Sequence, residues 1–355
     1  MLTMCDYYGM CDEDGRCVGH PVKVTEEYGR ILKSLGTEIK LVCSPCIAKG
    51  LAGSDDMFSE IFKLPYDILI TGNGIFKRIV DKLKLFRNIR IALKNKGTIF
   101  FYQVDFFFFL FLKMFYRRSA DRKIVILIYH QDFTGGRLSG VLFKIYESAL
   151  RKVDTVIYTQ KGAEVSHDNT VWMPDFIYRV DEYEKYRKAL KTDSVVCLGS
   201  MSRYKQIEEL VDVWRMLPTD SPKLIIAGRF DDTNRYKKLC GNLPQNVTMK
   251  NEVLSYEEYM KLMSEAKYSI LPYDMNQYKN RTSGVLLESI YCGVIPIAPE
   301  ELLNQNMLPG LGYKNMSEIG DLMKISSEAI TNKFQSIYEE YGLEYATGVL
   351  KDVLT

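Results

Sequence analysis

The chain contains the stretch Ser269-Ile-Leu-Pro-Tyr-Asp274, followed closely by Asn280-Arg-Thr-Ser-Gly-Val-Leu-Leu-Glu-Ser-Ile-Tyr-Cys-Gly-Val-Ile-Pro-Ile-Ala-Pro299. This pattern predicts a buried strand, a polar loop, a turn of small residues onto a short helix, and a second buried strand. Glu288 lies one turn inside that helix. Backbone N–H groups at a helix start can meet a diphosphate, and a carboxylate one turn further on can accept hydrogen bonds from ribose hydroxyls. The stretch therefore predicts a nucleotide site in an α/β domain.

The length and composition of the chain predict two globular domains. A chain of 355 residues is too long for one ordinary core. Its 46% hydrophobic and 26% charged residues are typical of a globular protein, and a net charge of +2 gives no reason to expect a nucleic-acid partner. We expect one domain over residues 1–177, a second over 178–335, and a terminal helix over 336–355 that packs back on the first.

Short apolar runs alternate with helical patterns in both halves, which predicts two doubly wound, Rossmann-like layers with parallel sheets. Strands are predicted at Leu2–Tyr8, Ile39–Ser44, Asp67–Thr71, Thr98–Gln103, Lys123–Tyr129, Thr155–Thr159, Ser194–Leu198, Lys223–Ala227, Val247–Lys250, Tyr268–Leu271 and Val294–Ala298. Helices are predicted at Pro21–Leu35, Phe76–Lys94, Val104–Tyr116, Leu138–Lys152, Lys205–Met216, Asp232–Gly241, Tyr256–Ala266, Val285–Cys292 and Glu328–Val353.

Two places in the first half are candidates for ligand contacts. Gly15, Gly19 and His20 precede Pro21, which suits the first turn of a helix. His130 ends an apolar run that predicts a central strand. The carboxyl ends of strands are where α/β sheets bind ligands, so both sets are predicted on the acceptor side of a site. A plain helix-entry loop and a chance core histidine are the alternatives.

The segment Lys77–Lys96 holds eight basic residues, opposed only by Asp81, with apolar residues at three- and four-residue spacing. It predicts a basic amphipathic helix. Such a helix can lie on an anionic membrane surface, or it can be an ordinary surface helix of an α/β layer. The run Phe106–Leu112 is far shorter than the roughly 20 apolar residues that span a bilayer, so it predicts a buried helix. Arg117 belongs to a second basic patch nearby.

The cysteines and the start of the chain bear on the compartment. Cys43 and Cys46 form the one close dyad, and Cys11 and Cys17 a looser one, whereas zinc sites usually pair two short-spaced dyads. Structural thiols are therefore expected rather than a metal site. Reduced thiols and a start without a secretory pattern predict a cytoplasmic location, with a peripheral position on the inner face of the membrane as the variant.

A second loop resembles a diphosphate cradle. Gly199 and Ser200 follow an apparent strand, and Arg203 and Lys205 lead into a helix. Cations at a helix start can offset the charge of a leaving diphosphate. A solvent-facing loop is the alternative, but this loop and Ser283-Gly-Val-Leu-Leu-Glu288 follow strands of the same predicted sheet.

Taken together, these motifs resemble the C-terminal half of retaining GT-B glycosyltransferases of the GT4 type (glycosyl transferases group 1). The resemblance covers residues 194–299 and rests on Gly199-x5-Lys205, Ile225-Ile-Ala-Gly228, Leu271-Pro272 and the helix Ser283–Gly293 followed by Ile295-Pro296. It implies the GT-B fold, in which two Rossmann-like domains face each other across a cleft. It also implies that Lys205 binds the donor diphosphate and that Glu288 holds the ribose.

The chain departs from the family pattern at two positions. The family's paired acid lies eight residues before the ribose glutamate, where this chain has Asn280, and the arginine that commonly follows the glycine is Ser200. Asn280 can still hydrogen-bond a sugar hydroxyl, so these changes predict a different donor or donor pose. Arg203 is the candidate for the missing cation.

The resemblance implies an enzyme of the hexosyltransferase type that moves a sugar from a UDP- or GDP-sugar to a saccharide acceptor with retention. A polyprenyl-linked acceptor of bacterial surface polysaccharide assembly is expected, without a metal or another cofactor. The alternatives are a nucleotide-sugar epimerase of the same fold and an inactive sugar-nucleotide-binding protein. The expected catalytic residues are Lys205, His130 and Glu288, and the expected donor-binding residues are Gly199, Ser200, Arg203, Lys205, Asn280, Arg281, Ser283, Gly284, Val285 and Glu288.

Overall fold

The structure is a computed structural model that describes residues 2–17, 21–53, 55–69, 74–129, 139–161, 169–278 and 282–354. Its contacts divide the chain into two compact units. Unit 1 comprises Met1–Thr159, Glu164–Met173 and Ala346–Thr355, and unit 2 comprises Gln160–Ala163 and Pro174–Tyr345.

Over the described residues, unit 1 is built on a seven-stranded sheet in which every paired strand is parallel. The described strands of unit 1, in chain order, are β1 (Leu2–Asp6), β2 (Met10–Cys11), β3 (Ile39–Cys43), β4 (Glu60–Lys63), β5 (Ile68–Leu69), β6 (Gly97–Phe101), β7 (Arg122–Ile128), β8 (Thr155–Tyr158) and β9 (Thr170–Trp172). The order across the sheet is β4-β3-β1-β6-β7-β8-β9, and β2 pairs with β5 separately. The order reverses between β1 and β6, as in a doubly wound sheet.

The helices of the first half are α1 (Pro21–Ser34), α2 (Pro45–Gly50), α3 (Ile75–Ala92), α4 (Phe106–Phe115) and α5 (Ser139–Leu150). Helix α4 corresponds to the predicted buried helix. Side chains form hydrogen bonds with backbone groups at both of its ends. The Asp105 carboxylate accepts from the Phe108 backbone N–H at 3.0 Å. The Lys152 ammonium donates to the carbonyls of Leu112, Lys113 and Tyr116 at 2.7 to 2.9 Å, which supplies partners for the last turn.

Unit 2 contains a second parallel sheet, with six strands among the residues described. The strands are β10 (Thr192–Leu198), β11 (Lys223–Ala227), β12 (Val247–Lys250), β13 (Ala266–Ile270), β14 (Ile295–Pro299) and β15 (Leu311–Tyr313), in the order β12-β11-β10-β13-β14-β15. The helices are α6 (Val180–Arg187), α7 (Ile207–Met216), α8 (Thr233–Cys240), α9 (Tyr256–Glu265), α10 (Met275–Tyr278), α11 (Gly284–Tyr291), α12 (Glu300–Asn306) and α13 (Ile319–Leu322). The strand order reverses between β10 and β13. In doubly wound sheets, ligands bind beside the carboxyl ends of the two strands at such a reversal, and this edge is called the binding edge below.

The predicted single helix Glu328–Val353 is wrong, because the structure has three helices there. They are α14 (Glu328–Thr331), α15 (Phe334–Glu340) and α16 (Leu343–Leu354). Gly342 separates the last two and is a poor helix former. The Tyr341 carbonyl accepts from the Tyr178 backbone N–H at 2.7 Å, a bond outside any helix. The apolar spacing of residues 328–353 continues across Gly342, so the sequence pattern did not indicate the end of a helix there.

Several smaller predictions also need correction. The predicted strand Asp67–Thr71 is reduced, over its described part, to Ile68–Leu69, which pairs outside the main sheet. Strands β2, β4, β9 and β15 and helices α2, α6, α10, α12 and α13 were not predicted. Short edge elements carry too few residues for a period to show. The fold class is confirmed: two α/β units, each on a doubly wound parallel sheet.

No helix within the described ranges combines the length and apolar character that crossing a bilayer requires. Helix α3 nevertheless carries the predicted basic amphipathic segment. Its large exposed apolar side chains are Ile75, Phe76, Ile79, Val80 and Leu83.

Candidate functional site

The centre of the candidate site is a pair of glycine turns at the binding edge of unit 2. Gly199 follows β10 with φ +94°, and Gly228 follows the neighbouring strand β11 with φ +151°. A Cβ on Gly228 would lie 1.8 Å from the Gly199 carbonyl oxygen, so no side chain fits there. The two turns therefore approach each other through backbone alone, which leaves the strand ends open to a ligand.

Lys205 lies directly beside this turn. The side chain is buried, with 4% of the residue exposed, and its ammonium donates to the Leu198 carbonyl at 2.7 Å. A Cβ built on Gly199 would lie 3.6 Å from Lys205 Nζ and 3.7 Å from Val285 Cγ2. The structure thus brings together Gly199, Lys205 and the first turn of α11, as predicted for a diphosphate cradle.

Burial lowers the pKa of Lys205, and the neighbouring thiol of Cys197 acts in the opposite direction. An ammonium has three N–H donors, and the carbonyl of Leu198 takes one of them. A buried cation with donor capacity gains strongly from an anionic partner, because little water competes for it. Lys205 is therefore suited to hold a phosphate.

The loop from Ser200 to Lys205 is held in place by Arg235 of α8. The guanidinium donates to the carbonyls of Ser202 at 3.1 Å and Lys205 at 2.7 Å. It also forms a two-point contact with the Glu208 carboxylate at 2.7 and 2.6 Å. Glu208 raises the pKa of Arg235, so the pair stays charged. These hydrogen bonds of the Arg235 guanidinium fix the backbone of the loop that carries Lys205.

The start of α11 forms the other wall of the cradle. Ser283 is its N-cap, and the hydroxyl accepts from the Leu286 backbone N–H at 3.3 Å. The Tyr273 hydroxyl lies 3.3 Å from the same Ser283 Oγ. The Tyr273 ring stacks on Tyr278 at 4.0 Å between centroids and lies 5.6 Å from Lys205 Nζ. Gly284 and Val285 occupy the first turn, where backbone N–H groups have no intrahelical partner and can bind an anion.

Glu288 lies one turn further along α11 and is half-buried. Its Oε2 accepts a hydrogen bond of 2.5 Å from the hydroxyl of Tyr259, which lies 29 residues away on α9. Burial raises the pKa of Tyr259, and the charge of Glu288 raises it further, so this hydroxyl keeps its proton. The contact orients the carboxylate that is predicted to hold the ribose.

The remaining predicted residues fall into two groups. Ser200 is exposed, and the Arg203 side chain is 80% exposed with its Nη2 4.0 Å from the Asp232 carboxylate, so neither lies in the cradle. Gly15 has φ +71° in a turn of unit 1. The other predicted residues lie outside the described ranges: Gly19, His20, His130, Asn280 and Arg281.

Sequence reasoning missed several residues that shape the site. Tyr259 and Arg235 lie on helices that carry no motif, and only the packing brings them to Glu288 and to the Lys205 loop. Gly228 was visible as the last residue of Ile225-Ile-Ala-Gly228, but its close approach to Gly199 was not. In unit 1, burial raises the pKa of Asp6, at the end of β1, to about 7. Its Oδ2 has no hydrogen-bond partner among the residues that the structure describes.

A metal site does not emerge from the part of the chain that the structure describes, because no group of three or more His, Cys, Asp or Glu residues there has a suitable arrangement. The thiols of Cys17 and Cys46 lie 3.6 Å apart, and no cysteine forms a disulfide. That the reaction needs no metal stays a prediction.

Comparison with known proteins agrees with this geometry. Residues 180–302 match the family model described as "Glycosyl transferases group 1". Among solved structures, a glycosyltransferase from Rickettsia africae matches with a TM-score of 0.65 at 15% identity, covering 99% of this chain and 97% of that chain. Sucrose-phosphate synthase from Thermosynechococcus elongatus matches with a TM-score of 0.64 at 14% identity and the same coverage.

A third structure, Anabaena HepE in complex with UDP and glucose, matches with a TM-score of 0.61 at 12% identity, covering 99% of this chain and 98% of that chain. No curated protein matches the sequence. The chain therefore has the GT-B fold. Residues 180–302, which match the group 1 glycosyltransferase model, contain Gly199, Lys205 and Glu288 of the candidate site.

Proposed function

We propose that this protein is a retaining hexosyltransferase that takes a sugar from a UDP- or GDP-sugar bound to unit 2. The observation that carries the proposal is the buried Lys205 ammonium beside Gly199 and the first turn of α11, with Glu288 one turn further on. Together, these groups match the two ends of a nucleoside diphosphate. The cation and the helix start suit the phosphates, and the carboxylate suits the ribose.

Charge stabilisation is the main chemical contribution of this site. As the bond between the sugar and the diphosphate breaks, negative charge grows on the departing phosphate. Lys205 and the N–H groups near Gly284 and Val285 are fixed before the reaction, so they stabilise that charge without reorganising. Arg203 supplies a second cation if its side chain turns from Asp232 toward the phosphates. In front-face attack, the leaving phosphate helps to deprotonate the acceptor hydroxyl.

The acceptor side of the proposal rests on the sequence. We assign Gly15, Gly19, His20 and His130 to acceptor contacts, and Asn280 and Arg281 to the donor sugar. A polyprenyl-linked saccharide of bacterial surface polysaccharide assembly is the proposed acceptor. It accords with the exposed apolar and basic residues of α3, which would hold the protein on the inner, anionic face of a membrane.

The donor assignment is tested by a thermal-shift screen with UDP, GDP, ADP and their sugars. A ligand that binds only the native state raises the melting temperature according to its affinity. UDP-glucose is tested first, because the Anabaena neighbour was solved with UDP and glucose. One nucleotide series should stabilise the protein and be hydrolysed slowly without acceptor. No response to any nucleotide would contradict the proposal, and an isomerised sugar without acceptor would indicate an epimerase.

The role of Glu288 has its own test. Glu288→Ala should weaken binding of the ribonucleotide about tenfold, yet leave binding of the 2′-deoxyribonucleotide nearly unchanged, because a charge-assisted hydrogen bond contributes about 1.5–3 kcal/mol. Tyr259→Phe removes only the group that orients the carboxylate, so its effect should be smaller. Equal losses for both sugars would place Glu288 away from the ribose.

A further inference from the structure

A groove on unit 1 separates α3 from α4, far along the chain from the donor site. Its volume is about 880 Å³. It is lined by Phe86, Arg87, Arg90 and Ile91 of α3, by Lys94 just after that helix, and by Phe111 and Phe115 of α4. Basic and aromatic side chains make up nearly all of this lining, and none of the described residues that form it is acidic.

The α3 side of the groove carries positive charge that no carboxylate of the described residues neutralises. Arg87, Arg90 and Lys94 are all exposed; Arg87 and Arg90 are three residues apart on one face of α3, and Lys94 follows the end of the helix. None of the three forms an ion pair with a described residue. Asp81, the one acid of α3, pairs with Lys77 and Lys84, at 3.3 and 3.7 Å. The wall is therefore a local source of positive potential.

The floor of the groove is aromatic. The Phe86 ring packs edge-on against Phe111 and Phe115, with centroids 5.5 and 5.9 Å apart. Phe115 is 58% exposed and Met114 next to it is 59% exposed, so the apolar floor opens to the outside. A cationic wall beside an open apolar floor fits a ligand that has an anionic head and a hydrocarbon tail.

The position of the groove separates it from the proposed acceptor. Helix α3 starts at Ile75 after β5 and ends at Ala92, shortly before β6 starts at Gly97. Its 18 residues span about 27 Å. The groove residues lie in the second half of the helix, which runs toward the amino ends of the strands. Ligands of α/β sheets bind at the opposite, carboxyl edge.

We infer that the groove between α3 and α4 binds an anionic phospholipid of the bilayer, with its phosphate on Arg87, Arg90 and Lys94 and the first part of its acyl chains on Phe115. The exposed apolar residues in the first half of α3 then enter the same bilayer surface. Binding at this site fixes how unit 1 lies on the membrane. It rests on the membrane position given under the proposed function, but it requires no sugar transfer, so loss of transferase activity would not bear on it.

The test compares two arginines of the same helix. Arg78 and Arg90 are both exposed, neither pairs with a described carboxylate, and they are about 18 Å apart along α3. Arg90→Gln and Arg78→Gln therefore remove the same charge from the same element, inside and outside the groove. The probe is dihexanoyl-phosphatidylglycerol below its micelle concentration, titrated by NMR against the full chain. As a control, the free energy of unfolding in urea is compared between both variants and the wild type to check that the fold is kept.

Arg90→Gln should weaken binding of this short lipid about tenfold, the usual effect of losing a charge-assisted bond to phosphate, and Arg78→Gln should leave it unchanged. Phe115→Ser should weaken the short lipid but not glycerol phosphate, whose own binding should be much weaker. Equal effects of Arg78→Gln and Arg90→Gln would overturn the inference in favour of diffuse attraction. Glycerol phosphate binding as tightly as the lipid, or dihexanoyl-phosphatidylcholine binding as tightly as the anionic lipid, would overturn it as well.

Discussion

Replacing Lys205 by Met tests the central contact of the site. Methionine keeps the length and apolar stem of lysine and removes the ammonium that lies beside Gly199 and α11. A hydrogen bond to a charged group contributes about 1.5–3 kcal/mol, and about 1.4 kcal/mol corresponds to a factor of ten. The affinity for the preferred nucleoside diphosphate should therefore fall about ten- to hundredfold, as measured by isothermal titration calorimetry.

The same substitution should leave the free energy of unfolding within about 1 kcal/mol of wild type, because a buried cation is expensive to desolvate. The lowered pKa of Lys205 has this same cause. Between that lowered pKa and the ordinary value of 10.5, the unfolded chain binds more protons, so this lysine makes stability rise with pH. Lys205→Met should flatten that rise, which unfolding in urea at several alkaline pH values would show.

Lys191 provides the matched control. Its ammonium also donates to backbone carbonyls, those of Ser264 and Cys292 at 2.7 Å each, and burial lowers its pKa to about 8. Lys191→Met should reduce stability, since both carbonyls lose their donor, but it should not change nucleotide affinity. If Lys205→Met binds the nucleotide as tightly as wild type, or if Lys191→Met loses as much affinity, then Lys205 does not hold the diphosphate.

Three further predictions concern the glycine turns, a buried acid and metals. Gly228→Ala should cost about 2–3 kcal/mol of stability in urea unfolding, because its Cβ would overlap the Gly199 carbonyl, whereas Gly241→Ala meets only ordinary contacts and should be nearly neutral. The pKa of Asp6 is raised by burial to about 7, so the folded chain holds an extra proton and stability should fall by about 1.4 kcal/mol per pH unit as the pH rises from 4 to 7. Asp6→Asn should remove this slope, and an unchanged slope would show that Asp6 is not its source. EDTA should change neither the melting temperature nor nucleotide binding, and a fall in either would reveal a metal site.

Much of the geometry of the candidate site was predictable because it depends on strand ends. Gly199 and Ser283 follow neighbouring parallel strands, whose carboxyl ends meet at the edge of the sheet. Lys205 and Glu288 are fixed relative to these turns by a few residues of loop or helix. The sequence pattern alone therefore indicated that these residues lie near one another.

The parts that the sequence could not reveal depend on contacts between distant segments. The Arg203 side chain, expected to replace a missing cation, lies in solvent near Asp232, and its role stays a prediction. The loop takes its orientation from hydrogen bonds that Arg235 makes about 30 residues later in the chain. The bond from Tyr259 to Glu288 likewise joins two helices that have no shared motif. The hydrophobic periodicity of a short stretch of sequence cannot reveal contacts between residues that lie on different helices.

The attachment of the 201–205 loop has a consequence for protein engineering. Arg235 binds this loop only through hydrogen bonds to main-chain carbonyls, so these bonds do not depend on which side chains the loop carries. Ser200 and Arg203 point outward on either side of that grip. These two positions can therefore be randomised in a library with little penalty for the stability of the unit. Arg235 itself is the residue that such a library should leave untouched.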